Sequence, residues 1–253
     1  MIEFERQDRA AVLTLSHPPV NAVNPRWIER FAAILSELEN NADIAVVRIR
    51  SALKVFCGGF DIGRIRDNLE KGAGPGDQIA DTRRLQDVYF RLENLPQVTI
   101  AQINGAAMGG GLELALCCNL RLAAREARLG LPEANLGQVP GAGGTQRLTR
   151  LCGPGVAARI ILACESVSGQ EAKELGIVQW AVDGADVERE ASALAKRIAA
   201  LPRETLAAGK ACIAAQADRG RSGFEMELQM NHRLLGTAET QARINAFLSR
   251  SKR

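Results

Sequence analysis

Apolar and polar residues change period several times along this chain, and each change marks an element. "AAVLTLSH" (residues 10–17) is a short, nearly continuous apolar run and predicts a strand. In "NPRWIERFAAILSELEN" (24–40), Trp27, Phe31, Ile34, Leu35 and Leu38 recur at helical spacing, so an amphipathic helix is expected. Asn24 before Pro25 supplies its N-cap and first turn. "IAVVRIRS" (44–51) and "QVTIAQINGAA" (97–107) predict further strands, and a helix is expected from Gly110. "LRLAAREARLGLPE" (120–133) reads as strand, turn, strand. Strands alternating with helices favour an α/β core with much parallel pairing.

From "GPGVAARIILA" (153–163) onward the pattern is almost wholly helical, ending in four helical segments at 186–201, 203–219, 223–236 and 238–250. We therefore divide the chain into a core, 1–195, and a helical C-terminal part, 196–253. Residues 67–84 (DNLEKGAGPGDQIADTRR) are expected to form a long loop, because Gly-Ala-Gly-Pro-Gly disfavours regular structure. The sequence shows no internal repeat.

Composition narrows the function classes. Apolar residues make up 46% and charged residues 24%, an ordinary globular balance, and a net charge of +3 is too small to argue for nucleic acid or membrane. The N-terminus is charged from its third residue and lacks the apolar centre of a signal peptide; no apolar run is long enough to span a bilayer. The six cysteines form no C-x-x-C pair, so reduced thiols in a cytoplasmic protein are expected. Two histidines, His17 and His232, argue against a His-based triad or a multi-His metal site.

Three segments carry candidate chemistry: "FCGGFDIG" (56–63), "GGGLE" (109–113) and "LGLPEANLGQVPGAGGTQRL" (129–148). Glycines opening a helix expose unpaired backbone N–H groups where the dipole favours negative charge. The P-loop Lys-Ser/Thr is absent, so a developing oxyanion, held by Gly110 N–H and a second donor from the Gly59–Phe60 turn, is the alternative to a phosphate. Glu113 would face the same cavity, and Glu133 follows twenty positions later. Taken singly, each feature has a structural explanation. A triple glycine serves tight packing, and Glu113 suits a helix dipole. Glu133 fits a helix start. Cys117 and Cys118 fit a core, and His17 a loop. "RLTR" (147–150) and "RSKR" (250–253) read as solvated surface charge.

Together and in order, "FCGGFDI", "INGAAMGGGLELALCCNLRLA" and "LGLPEANLGQVPGAGGTQRLTRLCG", with "PPVNAVN" and "SGQEAKELGIV", resemble the signature segments of the crotonase (enoyl-CoA hydratase/isomerase) superfamily. The resemblance covers essentially the whole chain. It implies a spiral core of repeated ββα units, a C-terminal helical trimerisation region, and a homotrimer or dimer of trimers. It implies an acyl-CoA thioester substrate and no metal or redox cofactor beyond the coenzyme A the substrate carries. The implied oxyanion donors are the N–H groups of Phe60 and Gly110, and the implied catalytic acids are Glu113 and Glu133. Ala22, Cys57, Gly58, Asp61, Ile62, Gly109 and Arg250 fall at its substrate- or CoA-binding positions. The implied activity is reversible hydration of a trans-2-enoyl-CoA in acyl-CoA catabolism, with Δ3–Δ2 enoyl-CoA isomerisation as the alternative and a non-catalytic RNA-binding role as a third reading. Phe60, Leu131 and Asn119 depart from the commoner small residue, Gln and Asp.

Overall fold

The computed structural model describes residues 1–70, 72, 75–216, 220 and 222–250. Its strands are β1 (Ile2–Gln7), β2 (Ala10–Leu15), β3 (Val46–Ser51), β4 (Val98–Ile103), β5 (Ala107–Met108), β6 (Leu120–Ala124), β7 (Arg128–Gly130), β8 (Val167–Ser168) and β9 (Trp180–Val182). Its helices are α1 (Pro25–Glu39), α2 (Ile62–Glu70), α3 (Pro75–Asn94), α4 (Gly110–Leu116), α5 (Gly144–Ile161), α6 (Gly169–Glu174), α7 (Val187–Ala199), α8 (Arg203–Ala215), α9 (Gly223–Leu235) and α10 (Ala238–Arg250).

The larger sheet runs β1-β2-β3-β4-β6-β9, and every neighbouring pair after the β1–β2 hairpin is parallel. Such strands are covered on both faces, which is why β2 reads as a nearly continuous apolar run; in β3 the run is interrupted by Arg48, buried and paired with Glu188. The smaller sheet is β5-β7-β8, extended by a parallel bridge from Cys57 to Ala107. Each coil of the chain thus lays a long strand in the first sheet, a short one in the second, then a helix. β3, Cys57 and α2 form one coil, β4, β5 and α4 the next, and β6, β7 and α5 the third. This is the α/β spiral of ββα units that the resemblance implies.

Helix α1 forms as its spacing predicts. The Asn24 side chain accepts from Trp27 N, and Trp27, Ile28, Phe31, Ile34, Leu35 and Leu38 are buried against β1 and α3. Each large apolar side chain so buried contributes about 1.5–3 kcal/mol. Cys117 and Cys118 are core residues, and His17 lies in a loop.

The expected loop at 67–84 is a correction: residues 67–70 end α2 and 75–84 begin α3. Pro75 sits in the first turn, where a missing N–H leaves no helical bond unmade. Leu85, Val88, Tyr89 and Leu92 then bury one stripe of the helix against α1, and that packing outweighs the weak propensity of its glycine-containing start. Helix α7 packs on β3, β4 and β6 through residues that include Leu194, Ala195 and Ile198. Beyond it, α8 and α9 pack together and leave Ile213, Phe224, Leu228 and Leu235 exposed. Among the described residues, no helix is long and apolar enough to cross a membrane.

Candidate active site

Two backbone segments meet where the first and second coils touch. Residues 58–61 run beside 20–23: Gly58 N donates to Val20 O (2.8 Å), Val23 N to Gly59 O (2.8 Å) and Asp61 N to Val23 O (3.0 Å). That pairing turns Phe60 N–H the other way. Gly59 adopts φ 92°, and a β-carbon there would stand 2.7 Å from Met108 O and 3.0 Å from Gly110 N. Glycine is what lets the turn approach α4 so closely. Gly111 is required for the same reason, since a β-carbon on it would overlap the Cys57 carbonyl. Among the described residues, neither Phe60 N–H nor Gly110 N–H has a hydrogen-bond acceptor. The two donors belong to adjacent coils and lie side by side; Phe60 N is 3.6 Å from where a Gly110 β-carbon would be. Tyr89, buried on α3, donates its hydroxyl to Gly110 O at 2.8 Å and braces the first turn.

Glu113 follows on that turn. Every residue of α4 is buried, and Glu113 is 3% exposed. Its Oε1 accepts from Ala142 N and Gly144 N, both at 2.8 Å. Among the described residues, Oε2 has no hydrogen-bond partner. Burial pushes its pKa up to about 7; the Gly144 N–H opposes this, the Glu133 charge adds to it, and the Ala142 N–H and Arg147 oppose it.

Glu133 opens a short 3₁₀ turn, Glu133–Leu136, after Pro132. The residue is half-buried; its Oε2 is fully buried without a hydrogen-bond partner, and burial also raises its pKa. Its Oε1 comes within 3.1 Å of a β-carbon position on Gly109, next to the Gly110 donor. Two carboxyl groups and two free N–H donors therefore converge on one place. Such a group of parts can hold an oxyanion while one acid accepts a proton and the other gives one.

Of the remaining candidates, Ala22, Cys57, Gly58, Asp61, Ile62 and Gly109 all line the two paired segments or the start of α4. Ala22 O lies 3.0 Å from His17 Nδ1. The Cys57 thiol is buried, donates to Asn21 O, and is pushed up to about 12 by that burial, so this position offers its backbone rather than a nucleophile. Asp61 Oδ1 accepts from Arg64 N at the start of α2, and Ile62 is half exposed. Arg250 closes α10; its side chain falls outside the described residues, as do Ser251, Lys252 and Arg253 of the terminal basic cluster. Leu131 is fully buried, and Asn119 Oδ1 accepts from Thr99 N and Oγ1.

Sequence reasoning passed over the turn that grips Glu113. The "GAGG" of residues 141–144 was its only local signal. The solvated reading of "RLTR" is corrected at Arg147, which is 8% exposed and forked onto Glu93 Oε2 through Nε and Nη2, each at 2.9 Å. Its neighbour Arg150 pairs with Glu93 Oε1 at 2.6 Å. A charged run looks solvated in sequence, but here the partner lies on α3. Among the described residues, no group of three or more His, Cys, Asp or Glu is placed to hold a metal.

The family model described as enoyl-CoA hydratase/isomerase matches residues 5–253. A probable enoyl-CoA hydratase of Bacillus subtilis is 42% identical over 198 residues, 78% of this chain and 75% of that one. A short-chain-enoyl-CoA hydratase of Clostridium acetobutylicum is 35% identical over 198 residues, covering 77% and 74%. The crystal structure of an enoyl-CoA hydratase from Bacillus anthracis superposes with a TM-score of 0.92 at 31% identity, covering 98% of this chain and 96% of that one. The chain belongs to the enoyl-CoA hydratase/isomerase family of the crotonase superfamily.

Proposed function

We propose that this enzyme hydrates trans-2-enoyl-CoA thioesters reversibly to 3-hydroxyacyl-CoA. The observation that carries the reading is the convergence of Glu113 and Glu133 beside the free N–H groups of Phe60 and Gly110. The thioester oxygen takes those two donors. Ionised Glu113, through Oε2, removes a proton from water as the oxygen attacks C3. The C2–C3 π electrons move onto the thioester, whose oxygen becomes enolate-like. Neutral Glu133 then delivers its proton to C2. Backbone donors already aimed at that oxygen cost no reorganisation, and one such donor typically contributes about 10²–10³ in rate.

Ala22, Cys57, Gly58, Asp61, Ile62 and Gly109 form the wall along which the thioester and its pantetheine arm lie, and Arg250 reaches a CoA phosphate. The substrate supplies the coenzyme A; no other cofactor enters the scheme. The helical region 196–253 joins subunits into a trimer or dimer of trimers, a reading supported by the exposed Ile213, Phe224, Leu228 and Leu235. Six free cysteines favour a reducing, cytoplasmic setting. Isomerisation needs one base and no bound water, so the second carboxyl weighs for hydration. The test is the loss of enoyl absorbance with C4, C8 and C16 trans-2-enoyl-CoA. Failure on all three chain lengths overturns the reading.

A further inference from the structure

The turn that holds Glu113 is itself held from behind. Ala142 N–H, which donates to Glu113, shares a peptide unit with the Gly141 carbonyl, and that carbonyl accepts from Gln86 Nε2 at 2.6 Å. Gly144 N–H, the second donor, shares a peptide unit with the Gly143 carbonyl, which accepts from Arg147 N at 2.9 Å. The peptide between them offers its Ala142 carbonyl to Arg147 Nη1 at 2.8 Å. Three consecutive peptide units thus have their carbonyls fastened, and the outer two aim their N–H groups at one carboxylate oxygen. Hydrogen bonds in such chains polarise one another. Arg147 is fixed in turn by Glu93. Gln86 and Glu93 both lie on α3, about two helical turns apart and so on one face.

We propose that Gln86 and Arg147 are positioning residues for Glu113, holding the carbonyl side of the 141–144 turn so that its N–H groups stay aimed at the carboxylate. The proposal rests on Glu113 acting as the base in the reading above. Neither side chain bonds to Glu113 itself: Gln86 acts through the Gly141–Ala142 peptide, and the Arg147 side chain through the Ala142–Gly143 peptide and through its charge. The other groups that face Glu113 are Glu133 from the 3₁₀ turn, Tyr89 from α3, and Cys117 on its own helix. The two cysteine and tyrosine groups are held neutral by burial, so Glu133 and Arg147 are the charges that compete at this site.

Removing either support weakens donors to the ionised form and moves the acid limb of the kcat profile upward. Gln86→Leu should shift it by about half a pH unit, and Arg147→Met by about one, because that change also removes a cation. The experiment compares kcat from pH 5 to 9 for the parent, Q86L and R147M. In parallel, 13C spectra of glutamate-labelled, ligand-free protein follow the Glu113 carboxyl, assigned by its loss in E113Q. An upward shift in both titrations supports the proposal. An unmoved Glu113 titration in Q86L and R147M overturns it, whatever the change in kcat or melting temperature. If the parent itself shows no hydration, the proposed function fails, while the ligand-free titration still decides whether the turn is held this way.

Discussion

Glu113 sits on the first turn of a buried helix with one oxygen gripped by two backbone N–H groups, whereas Glu133 sits on a short 3₁₀ turn with a buried oxygen that bonds to no described group. Burial raises both acids. Glu113 has two fixed donors from a distant turn that favour its ionised form, whereas Glu133 is favoured only by its own backbone N–H. The contrast fits the proposed roles: two aligned donors favour the carboxylate form of Glu113, and Glu133 lacks such a pair. In the proposed reaction, two carboxyls of one residue type serve as base and acid through what surrounds them.

The largest effect should come from removing either titration. Glu113→Gln and Glu133→Gln should each lower kcat for hydration by roughly 10²–10⁴-fold, with the double mutant little worse than the poorer single. Near-parental turnover in either single would break the contrast. In the parent, the acid limb of kcat should follow Glu113, whose carboxyl burial pushes up to about 7, with turnover falling below it as Glu113 is protonated. Rising activity down to pH 5 would reverse the assignment.

Stability sharpens the comparison without any substrate. Burial raises the folded-state pKa of Glu113 from its ordinary 4.5 to about 7. Its contribution is therefore fully present below pH 4.5 and lost as pH rises through 7. Glu113→Gln removes this loss while its amide oxygen can still accept from Ala142 and Gly144. Relative to the parent, the mutant should gain stability between pH 5 and 8, by an amount on the order of 3 kcal/mol. Denaturant melts at the two pH values measure it; an equal gap at both would mean that Glu113 does not titrate there. The smallest effect is expected at Tyr89. Tyr89→Phe removes the hydroxyl that Gly110 O accepts in addition to its helical bond, which should cost about 1 kcal/mol of stability and lower kcat a few-fold by loosening the first turn of α4. Unchanged kcat in Y89F would show that the first turn of α4 needs no brace.

The parts legible in sequence were those set by neighbours in the chain. Helix α1 carries its own cap and its own spacing, and β2 announces itself as an apolar run. Helix α3 was hidden because its start is rich in breakers while the Leu85–Leu92 seam that stabilises it depends on a distant helix. The acids were visible as residues, and the crotonase resemblance paired them; spacing alone does not bring position 113 to position 133. The grip on Glu113 left little trace, since backbone N–H groups have no letter in a sequence. Arg147 was misread because its counter-charge, Glu93, is 54 positions away.

Strand order across the large sheet has a consequence for synthesis. From β2 through β9 each strand lies beside the one made before it in that sheet. A chain emerging from the ribosome therefore meets a finished edge at every step, and no strand must wait for a later one. Phe60 emerges first, then Gly110 with Glu113, then Glu133, then the turn and Arg147. Phe60 and Gly110 are thus made before the third coil, whose turn supplies the N–H partners of Glu113.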